Sequence, residues 1–263
     1  MSAPWLSANP DKAWAERLFL LYTPVWMTAV GLVMVTGWIH TFGDVGFMVF
    51  SVVVAAPTLA LPAFLDRNTQ RPWWRSYWFK LNAWSAILVF GGTYFGTAYF
   101  FDLMGMRYEF DVSWTFESPV VGRHGGRVPV FMYPLTQAYF VSYFVLLTVA
   151  YRRLRPSLGP IGRALLVLGL AYAMAVAETL AMANPLIADA FSYADRTRML
   201  LLGSWGYAVY FIIGLPMLFA LDEPTPDDPA PQWTLRRTAF HAIGTYMLIL
   251  CGLEVWAQLI GPL

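Results

Sequence analysis

Long apolar stretches alternate with short polar connections along the whole chain. A helix that crosses the hydrocarbon core of a bilayer needs about 20 apolar residues, and seven stretches of the sequence meet this requirement. They cover residues 18–38, 46–65, 79–101, 130–151, 163–184, 199–221 and 238–260. The pattern therefore predicts an all-α membrane protein, a bundle of about seven transmembrane helices in a single domain over residues 1–263.

The basic residues predict how these helices are oriented. Of the 17 Lys and Arg residues, twelve fall on the side of the N-terminus, in alternate connections. They are Lys12, Arg17, Arg67, Arg71, Arg75, Lys80, Arg152, Arg153, Arg155, Arg163, Arg236 and Arg237. Because Lys and Arg favour the cytoplasmic side, we expect a cytoplasmic N-terminus and an outer C-terminus.

One connection on the outer side, residues 102–129, is long enough to form structure of its own. Its segment 107–116, RYEFDVSWTF, alternates apolar and polar positions, which is the periodicity of a strand. Gly125 and Gly126 then predict a turn. We expect a small extracytoplasmic hairpin between the third and fourth helices, with an irregular loop as the alternative.

The composition excludes several classes of protein. The chain is 58% hydrophobic and 13% charged, whereas a soluble domain carries roughly 25% charged residues. A net charge of +1 argues against a nucleic-acid binder. The single cysteine, Cys251, excludes an internal disulfide and a cysteine-based metal site. The three histidines have no metal-ligand spacing, and we expect neither a metal nor a cofactor.

Two carboxylic acids fall inside predicted spans. Glu178 lies in the otherwise apolar stretch AYAMAVAETLAMANP, and Glu254 lies in the seventh span. Each is about four turns from the cytoplasmic start of its helix, so the two carboxyl groups are expected at one depth, where they could face each other. An acid in the membrane is costly and usually functional. Hydrogen bonding to a neighbouring helix is the structural alternative.

Other polar and aromatic residues are candidates for lining a cavity between the helices. Lys80 and Asn82 open the third span, where snorkelling of the Lys80 side chain to the headgroups is the structural alternative. Deep aromatic side chains could stabilise a cation with their ring faces, although packing is the ordinary role of each one. This set comprises Trp26, Trp84, Trp205, Trp256, Tyr94, Tyr207 and Tyr210.

These patterns leave several functions open. The seventh span has no lysine that could form a Schiff base, which argues against a retinal protein. An ion or proton carrier and a lipid-modifying enzyme both fit a seven-span chain with two intramembrane acids.

Six motifs occur in one order along the chain and carry a resemblance to a known family. They are NPDKAWAERLFLLYTPVW, YWFKLNAW, TYFGTAYFF, AETLAMAN, YAVYFIIGLPMLFALDE and LEVWAQLIGP. From about residue 9 to residue 262 the chain resembles the cycloeucalenol cycloisomerase family. The resemblance implies an integral membrane enzyme of sterol biosynthesis, which opens the 9β,19-cyclopropane ring of a 4α-methyl sterol without a cofactor.

The resemblance also implies where the enzyme works and what it meets. The product of cycloeucalenol is obtusifoliol, with a double bond at C8, and the sterol would enter from the bilayer. The expected partners are therefore the sterol and membrane lipids, with no obligatory protein partner. Plant members act in the endoplasmic reticulum, whereas a bacterial host would place the chain in its inner membrane.

The opening of a cyclopropane ring requires a proton at C19, a pocket that tolerates a cation at C9, and a base for the C8 proton. A carboxyl group in low-dielectric surroundings stays protonated at neutral pH, which suits a general acid. We assign Glu178 as the acid and Glu254 as the base or cation stabiliser, with the reverse assignment open. The predicted substrate-binding residues, all within the motifs, are Asn184, Asn82, Lys80, Tyr94, Tyr207, Tyr210, Trp256 and Trp26.

The chain departs from the family pattern over residues 102–136 and at Gln137. Tyr133 and Gln137 stand near the fourth span where family members carry histidines, so we expect no catalytic histidine. Three alternatives remain: a sterol double-bond isomerase of the emopamil-binding type, a non-catalytic sterol or lipid binder or carrier, and a proton-coupled transporter.

Overall fold

The computed structural model describes residues 4–66, 71–117 and 127–263. Within these ranges the chain is mostly helical, as predicted. The α-helices are α1 (Pro10–Val35), α2 (Asp44–Ala55), α3 (Pro57–Leu65), α4 (Tyr77–Phe90), α5 (Met132–Leu154), α6 (Pro160–Met182), α7 (Arg196–Arg198), α8 (Ser204–Phe219) and α9 (Leu235–Ile260). The short strands are β1 (Met106–Tyr108), β2 (Thr115–Glu117), β3 (Arg127–Pro129) and β4 (Phe191–Tyr193).

Six helical stretches in the described part of the chain are long and apolar enough to cross a membrane. They are Pro10–Val35, Asp44–Leu65, Met132–Ser157, Pro160–Met182, Arg196–Phe219 and Leu235–Ile260. The chain is therefore a multi-pass membrane protein, and these stretches correspond to six of the seven predicted spans.

The third predicted span, 79–101, is a broken helix. It consists of α4 followed by two π-helical turns, Gly91–Phe95 and Tyr99–Leu103. The backbone N–H of Gly96 lies 3.2 Å from the carbonyl oxygen of Gly91 and donates to it across five residues. Wider turns of this kind are rare and frequent at functional sites. Whether this segment crosses the membrane as a seventh span stays a prediction.

Capping residues and prolines set several helix ends. Asn9 caps α1, since its side-chain oxygen accepts the backbone N–H of Asp11 at 3.0 Å, and Pro10 takes the first helical position, where its missing N–H costs nothing. Thr234 caps α9 in the same way, at 3.1 Å. Pro57 interrupts the second span between α2 and α3, because a proline cannot donate the hydrogen bond that continues a helix.

Helix α5 lies at the centre of the bundle. It packs against α1, α2, α4, α6 and α8, and with α8 it is the most buried of the described long helices. Gly214 on α8 allows the close approach of α5, because a Cβ atom there would lie 2.6 Å from the ring of Phe144. That ring in turn meets Trp84 of α4 edge-on, with 5.2 Å between ring centroids.

The strands confirm the predicted hairpin in part. β2 pairs antiparallel with β3, and the predicted turn at Gly125 and Gly126 lies outside the described residues. The continuous strand predicted over 107–116 is wrong, since β1 pairs antiparallel with β4 instead. The strand is interrupted because the carboxylate of Asp44 accepts the backbone N–H groups of Ser113 and Trp114 at 2.8–3.1 Å, which removes donors from the ladder.

Contacts between distant segments mark the two ends of the bundle. At one end the guanidinium group of Arg152 binds the carbonyl oxygen of Trp5 at 3.0 Å, and Lys80 binds that of Trp233 at 3.2 Å. The other end carries the four strands. Which end faces the cytoplasm stays a prediction.

Candidate active site

An apolar cavity lies in the half of the bundle that carries the strands. Its walls bound about 810 Å³ when the space at its open side is counted. The first π-helical turn, β1, β3, β4 and helices α4, α5, α6 and α8 all contribute to its wall. Leu88, Met132, Phe140 and Phe211 are typical of this wall.

Glu178 supplies the one carboxyl group among the described residues that line the cavity. It lies on α6, one turn before the helix ends at Met182. No hydrogen bond or ion pair to its side chain is formed within the described ranges. Burial raises the pKa of Tyr108, on β1, well above its usual value, which reflects how little water reaches this part of the wall. An unpaired acid in apolar surroundings is held ready to give a proton rather than to carry a charge.

Tyrosine hydroxyls provide most of the other polar groups of the wall. Tyr207 and Tyr210, both predicted as substrate-binding residues, line the cavity together with Tyr108 and Tyr139. The hydroxyl groups of Tyr207 and Tyr193 are hydrogen-bonded at 3.1 Å. The structure thus brings Glu178, Tyr207 and Tyr210 together, as the sequence predicts.

Glu254 lies elsewhere, so the expectation that the two acids face each other is not met. Its side chain is exposed on α9, where it accepts hydrogen bonds from Tyr99 at 3.2 Å and Gln258 at 3.1 Å. Glu254 does not line the cavity. Depth along a helix was predicted from residue spacing, but the direction in which α9 turns its side chains was not.

Three predicted aromatic residues, Trp26, Tyr94 and Trp256, pack near the cavity without lining it. The indole N–H of Trp26 donates to Ser142 at 2.7 Å, and its ring lies 4.6 Å from that of Tyr139, which it supports. Tyr94 stacks on a neighbouring ring of its own segment. Trp256 is buried, and its ring occupies the space left by Gly206, where a Cβ atom would lie 3.3 Å from the indole.

The two predicted asparagines hold the backbone rather than Glu178. The side chain of Asn82 is buried, donates to the carbonyl oxygens of Thr58 at 3.0 Å and Trp78 at 2.9 Å, and accepts from Gln137 at 3.3 Å. It therefore ties together α3, α4 and α5. Asn184 accepts the backbone N–H two residues ahead, at 3.0 Å, and shapes the turn after α6.

Lys80 belongs to a cluster of six acidic and basic side chains at the opposite end of the bundle. It is fully buried and paired with Asp222, so the snorkelling alternative is wrong and the residue does not reach the cavity. The members of this ionic cluster are Lys12, Glu16, Lys80, Arg152, Asp222 and Glu223, three positive and three negative residues.

Arg152 is the centre of the ionic cluster. Its guanidinium group donates to both carboxylate oxygens of Glu16, at 2.7 and 3.0 Å, and to both of Glu223, at 2.7 and 2.8 Å. Lys12 adds a contact of 3.0 Å to Glu223. Burial opposes ionisation of Glu223, but the hydrogen bonds and charges of Arg152 and Lys12 outweigh it and hold its pKa below the usual value. Such pairing is what allows charges to be buried.

Several cavity residues were not predicted from the sequence. Tyr139 and Phe140 lie on α5, and Thr97 and Phe100 follow the first π-helical turn. The TYFGTAYFF motif contains Thr97 and Phe100, so the motif was a usable signal. Tyr108 reaches the cavity only through the pairing of β1 with β4, which no local pattern indicates. The described residues contain no group of three or more His, Cys, Asp or Glu residues that could hold a metal ion.

The fold and this site define a multi-pass membrane protein with an acid in an apolar cavity between its helices. The chain is 34% identical to an Arabidopsis thaliana protein named cycloeucalenol cycloisomerase, over 98% of this chain and 90% of that relative. The chain therefore belongs to the cycloeucalenol cycloisomerase family and is an isomerase. No family model matches it, and no solved structure matches it.

Proposed function

We propose that the cavity is the active site in which the cyclopropane ring of a 4α-methyl sterol is opened, converting cycloeucalenol to obtusifoliol. The observation that carries this proposal is the unpaired carboxyl group of Glu178 in an apolar, aromatic cavity. The name of the Arabidopsis relative supports the choice of substrate.

The first step is transfer of the Glu178 proton to C19. The electron pair of the C9–C19 bond forms the new C–H bond, so C19 becomes a methyl group and C9 becomes positive. A cyclopropane is a very weak base, and the transfer therefore needs a neutral acid held against the ring with water excluded. The apolar wall around Glu178 supplies both conditions.

Aromatic rings would stabilise the cation at C9. The ring of Phe100 lies 5.7 Å from that of Tyr207 and 6.0 Å from that of Tyr210, and all three residues line the cavity. Ring faces attract a cation, by about 2 kcal/mol or more where water is excluded. The wall therefore lowers the energy of a charge for which Glu178 supplies the one carboxylate among the described lining residues.

The second step is loss of the C8 proton, which gives the double bond and restores the acid. The sequence predicted Glu254 as the base or cation stabiliser, but its side chain is exposed on α9 and hydrogen-bonded to Tyr99 and Gln258. We therefore propose that the carboxylate of Glu178, formed in the first step, accepts this proton. One carboxyl group then gives and regains one proton, and the reaction is balanced without an oxidant or reductant.

The substrate would come from the bilayer itself. A sterol is flat, rigid and almost wholly apolar, and the cavity lies within a bundle whose outer helices expose large apolar side chains. Lateral entry from the lipid phase needs no soluble carrier and no protein partner.

Turnover by the purified protein in deuterated water tests this proposal. We expect cycloeucalenol to be converted to obtusifoliol with up to one deuterium in the C19 methyl group, measured by mass spectrometry. Less than one full deuterium at early times fits a single carboxyl group, because a proton taken from C8 can return in the next turnover before it exchanges.

Other outcomes would replace the proposal. Sterol that binds but is not converted indicates a binder or carrier. Conversion of a sterol that has no cyclopropane ring, in which only a double bond moves, indicates a double-bond isomerase. Neither outcome is compatible with ring opening as the activity of this cavity.

A further inference from the structure

Two hydroxyl groups in the cavity wall are buried and have no hydrogen-bond partner in the described part of the chain. They belong to Thr97, which is 2% exposed, and Tyr210, which is 3% exposed. Both residues line the cavity that holds Glu178. Neither hydroxyl takes part in the proton transfers proposed above, so each has a capacity for hydrogen bonding that the chemistry leaves unused.

The two hydroxyl groups are held by different elements. Thr97 lies between the two π-helical turns, after the hydrogen bonding of α4 has ended, and Tyr210 lies on α8. The hydroxyl oxygen of Tyr210 is placed beside Gly92, since a Cβ atom there would lie 3.0 Å from it. Gly92 also lines the cavity, so the absence of a side chain at this position leaves room for the tyrosine hydroxyl against the backbone of the cavity wall.

An unsatisfied buried hydroxyl is costly. Removal of such a group from water without a partner costs about 1–3 kcal/mol, and most buried polar groups in proteins are therefore paired. Two unpaired hydroxyl groups in one cavity wall indicate a ligand that forms hydrogen bonds with them. A tyrosine or threonine hydroxyl can donate one hydrogen bond and accept others, and an alcohol group of a ligand has the same capacity to donate and accept.

We propose that Thr97 and Tyr210 form the binding point for the single alcohol group of the sterol. This inference rests on the proposed function for the identity of the ligand. The pair acts as a positioning element, because a rigid skeleton that is held at its alcohol end can present the cyclopropane to Glu178 in only a few orientations. It also predicts selectivity for sterols that carry an alcohol group, since a site built to pair a hydroxyl discriminates against an analogue that lacks it.

Paired ligands provide the test. Binding of cycloeucalenol and of its 3-deoxy analogue is measured for the wild type, Thr97→Val and Tyr210→Phe, each of which removes one hydroxyl with little change in shape. We expect either variant to bind cycloeucalenol about three- to tenfold more weakly, with unchanged binding of the 3-deoxy analogue. Thr97→Ser keeps the hydroxyl and should restore the preference for the alcohol.

Tyr133→Phe is the matched control. The hydroxyl of Tyr133 is also buried without a partner among the described residues, but Tyr133 does not line the cavity. We expect this variant to keep the wild-type ratio between the two ligands. Thermal stability in detergent is measured for every variant, so that a loss of binding through misfolding is separated from a loss of one hydrogen bond.

Each outcome bears on one proposal. If Thr97→Val and Tyr210→Phe weaken both ligands equally, or leave the preference for the alcohol intact, the assignment of these two residues is overturned. If the wild type binds and discriminates but forms no obtusifoliol, the proposed reaction fails while the alcohol site stands. If the wild type binds neither sterol, both proposals are lost.

Discussion

Replacement of Glu178 by glutamine removes the acidic proton and leaves the shape of the site nearly unchanged. Glutamine is close in size to a neutral glutamic acid, and the cavity around it is apolar and aromatic, so sterol binding should be retained. General acid–base catalysis contributes typically 10²–10⁴-fold, which corresponds to about 3–5 kcal/mol in the barrier. Since no other described residue of the cavity wall carries a carboxyl group, nothing substitutes for the lost proton.

We therefore expect Glu178→Gln to lower kcat at least 100-fold with KM changed less than about threefold. Glu254→Gln is the matched control, because it makes the same chemical change in an acid outside the cavity. It replaces one of the two carboxylate oxygens that accept from Tyr99 and Gln258 at an exposed site and should keep kcat within about threefold of the wild type. The assay follows obtusifoliol by mass spectrometry under initial-rate conditions.

A deep loss of kcat in Glu254→Gln, with wild-type stability and sterol binding, would refute this reasoning. It would restore the two-acid mechanism that the sequence favours and require α9 to turn Glu254 toward the sterol. Full activity in Glu178→Gln would be more damaging, since no acid would then remain in the cavity to open the ring. The two variants together therefore decide between one carboxyl group and two.

The remaining predictions concern stability, measured by thermal unfolding in detergent. Arg152→Met leaves the buried carboxylate of Glu16 without its ion pair and removes one of the two cations at Glu223, and should cost about 3–5 kcal/mol, whereas Arg153→Met next to it should change stability little. Gly214→Ala forces a Cβ atom into a packed ring and should cost about 1–3 kcal/mol, whereas Gly169→Ala, with open space around it, should be neutral or slightly stabilising. The pKa of Glu223 is lower in the folded than in the unfolded state. Its contribution to the free energy of unfolding is therefore complete above a pH of about 4.5 and is lost as the pH falls through the folded-state pKa. Glu223→Gln should make the loss of stability at acid pH less steep, and an unchanged pH dependence would contradict the assignment.

Hydropathy predicted most of the helices because the bilayer imposes length and composition on each span. It did not predict where the third span breaks, because the π-helical turns at Gly91–Phe95 and Tyr99–Leu103 depend on how that segment packs. Strand periodicity at 107–116 indicated extended chain but not its partner. The pairing of β1 with β4 joins segments about 85 residues apart, a distance over which local pattern carries no information.

The candidate site, like the fold, could be predicted from the sequence only in part. Glu178 could be singled out from its cost in an apolar helix, and Tyr207 and Tyr210 from their place in a motif. Glu254 has the same cost by sequence, yet its side chain points outward. The hydrophobic pattern of α9 does not fix its rotation, because both a lipid-facing side and a protein-facing side of a membrane helix are apolar.

Motif residues alone therefore do not identify catalytic residues in this chain. The first, third-span and sixth-span motifs contribute Lys12, Lys80 and Glu223 to the ionic cluster, where every charge has a partner. The feature that separates a structural acid from a chemical one is compensation: Glu223 is bound by two cations, whereas Glu178 has none among the described residues. Arg152 and Lys12 stabilise Glu223 as a carboxylate, whereas an unpaired acid in an apolar cavity favours the neutral form, which can give a proton. We therefore propose that, among the carboxyl groups of this chain, a missing partner rather than burial marks the acid that gives the proton.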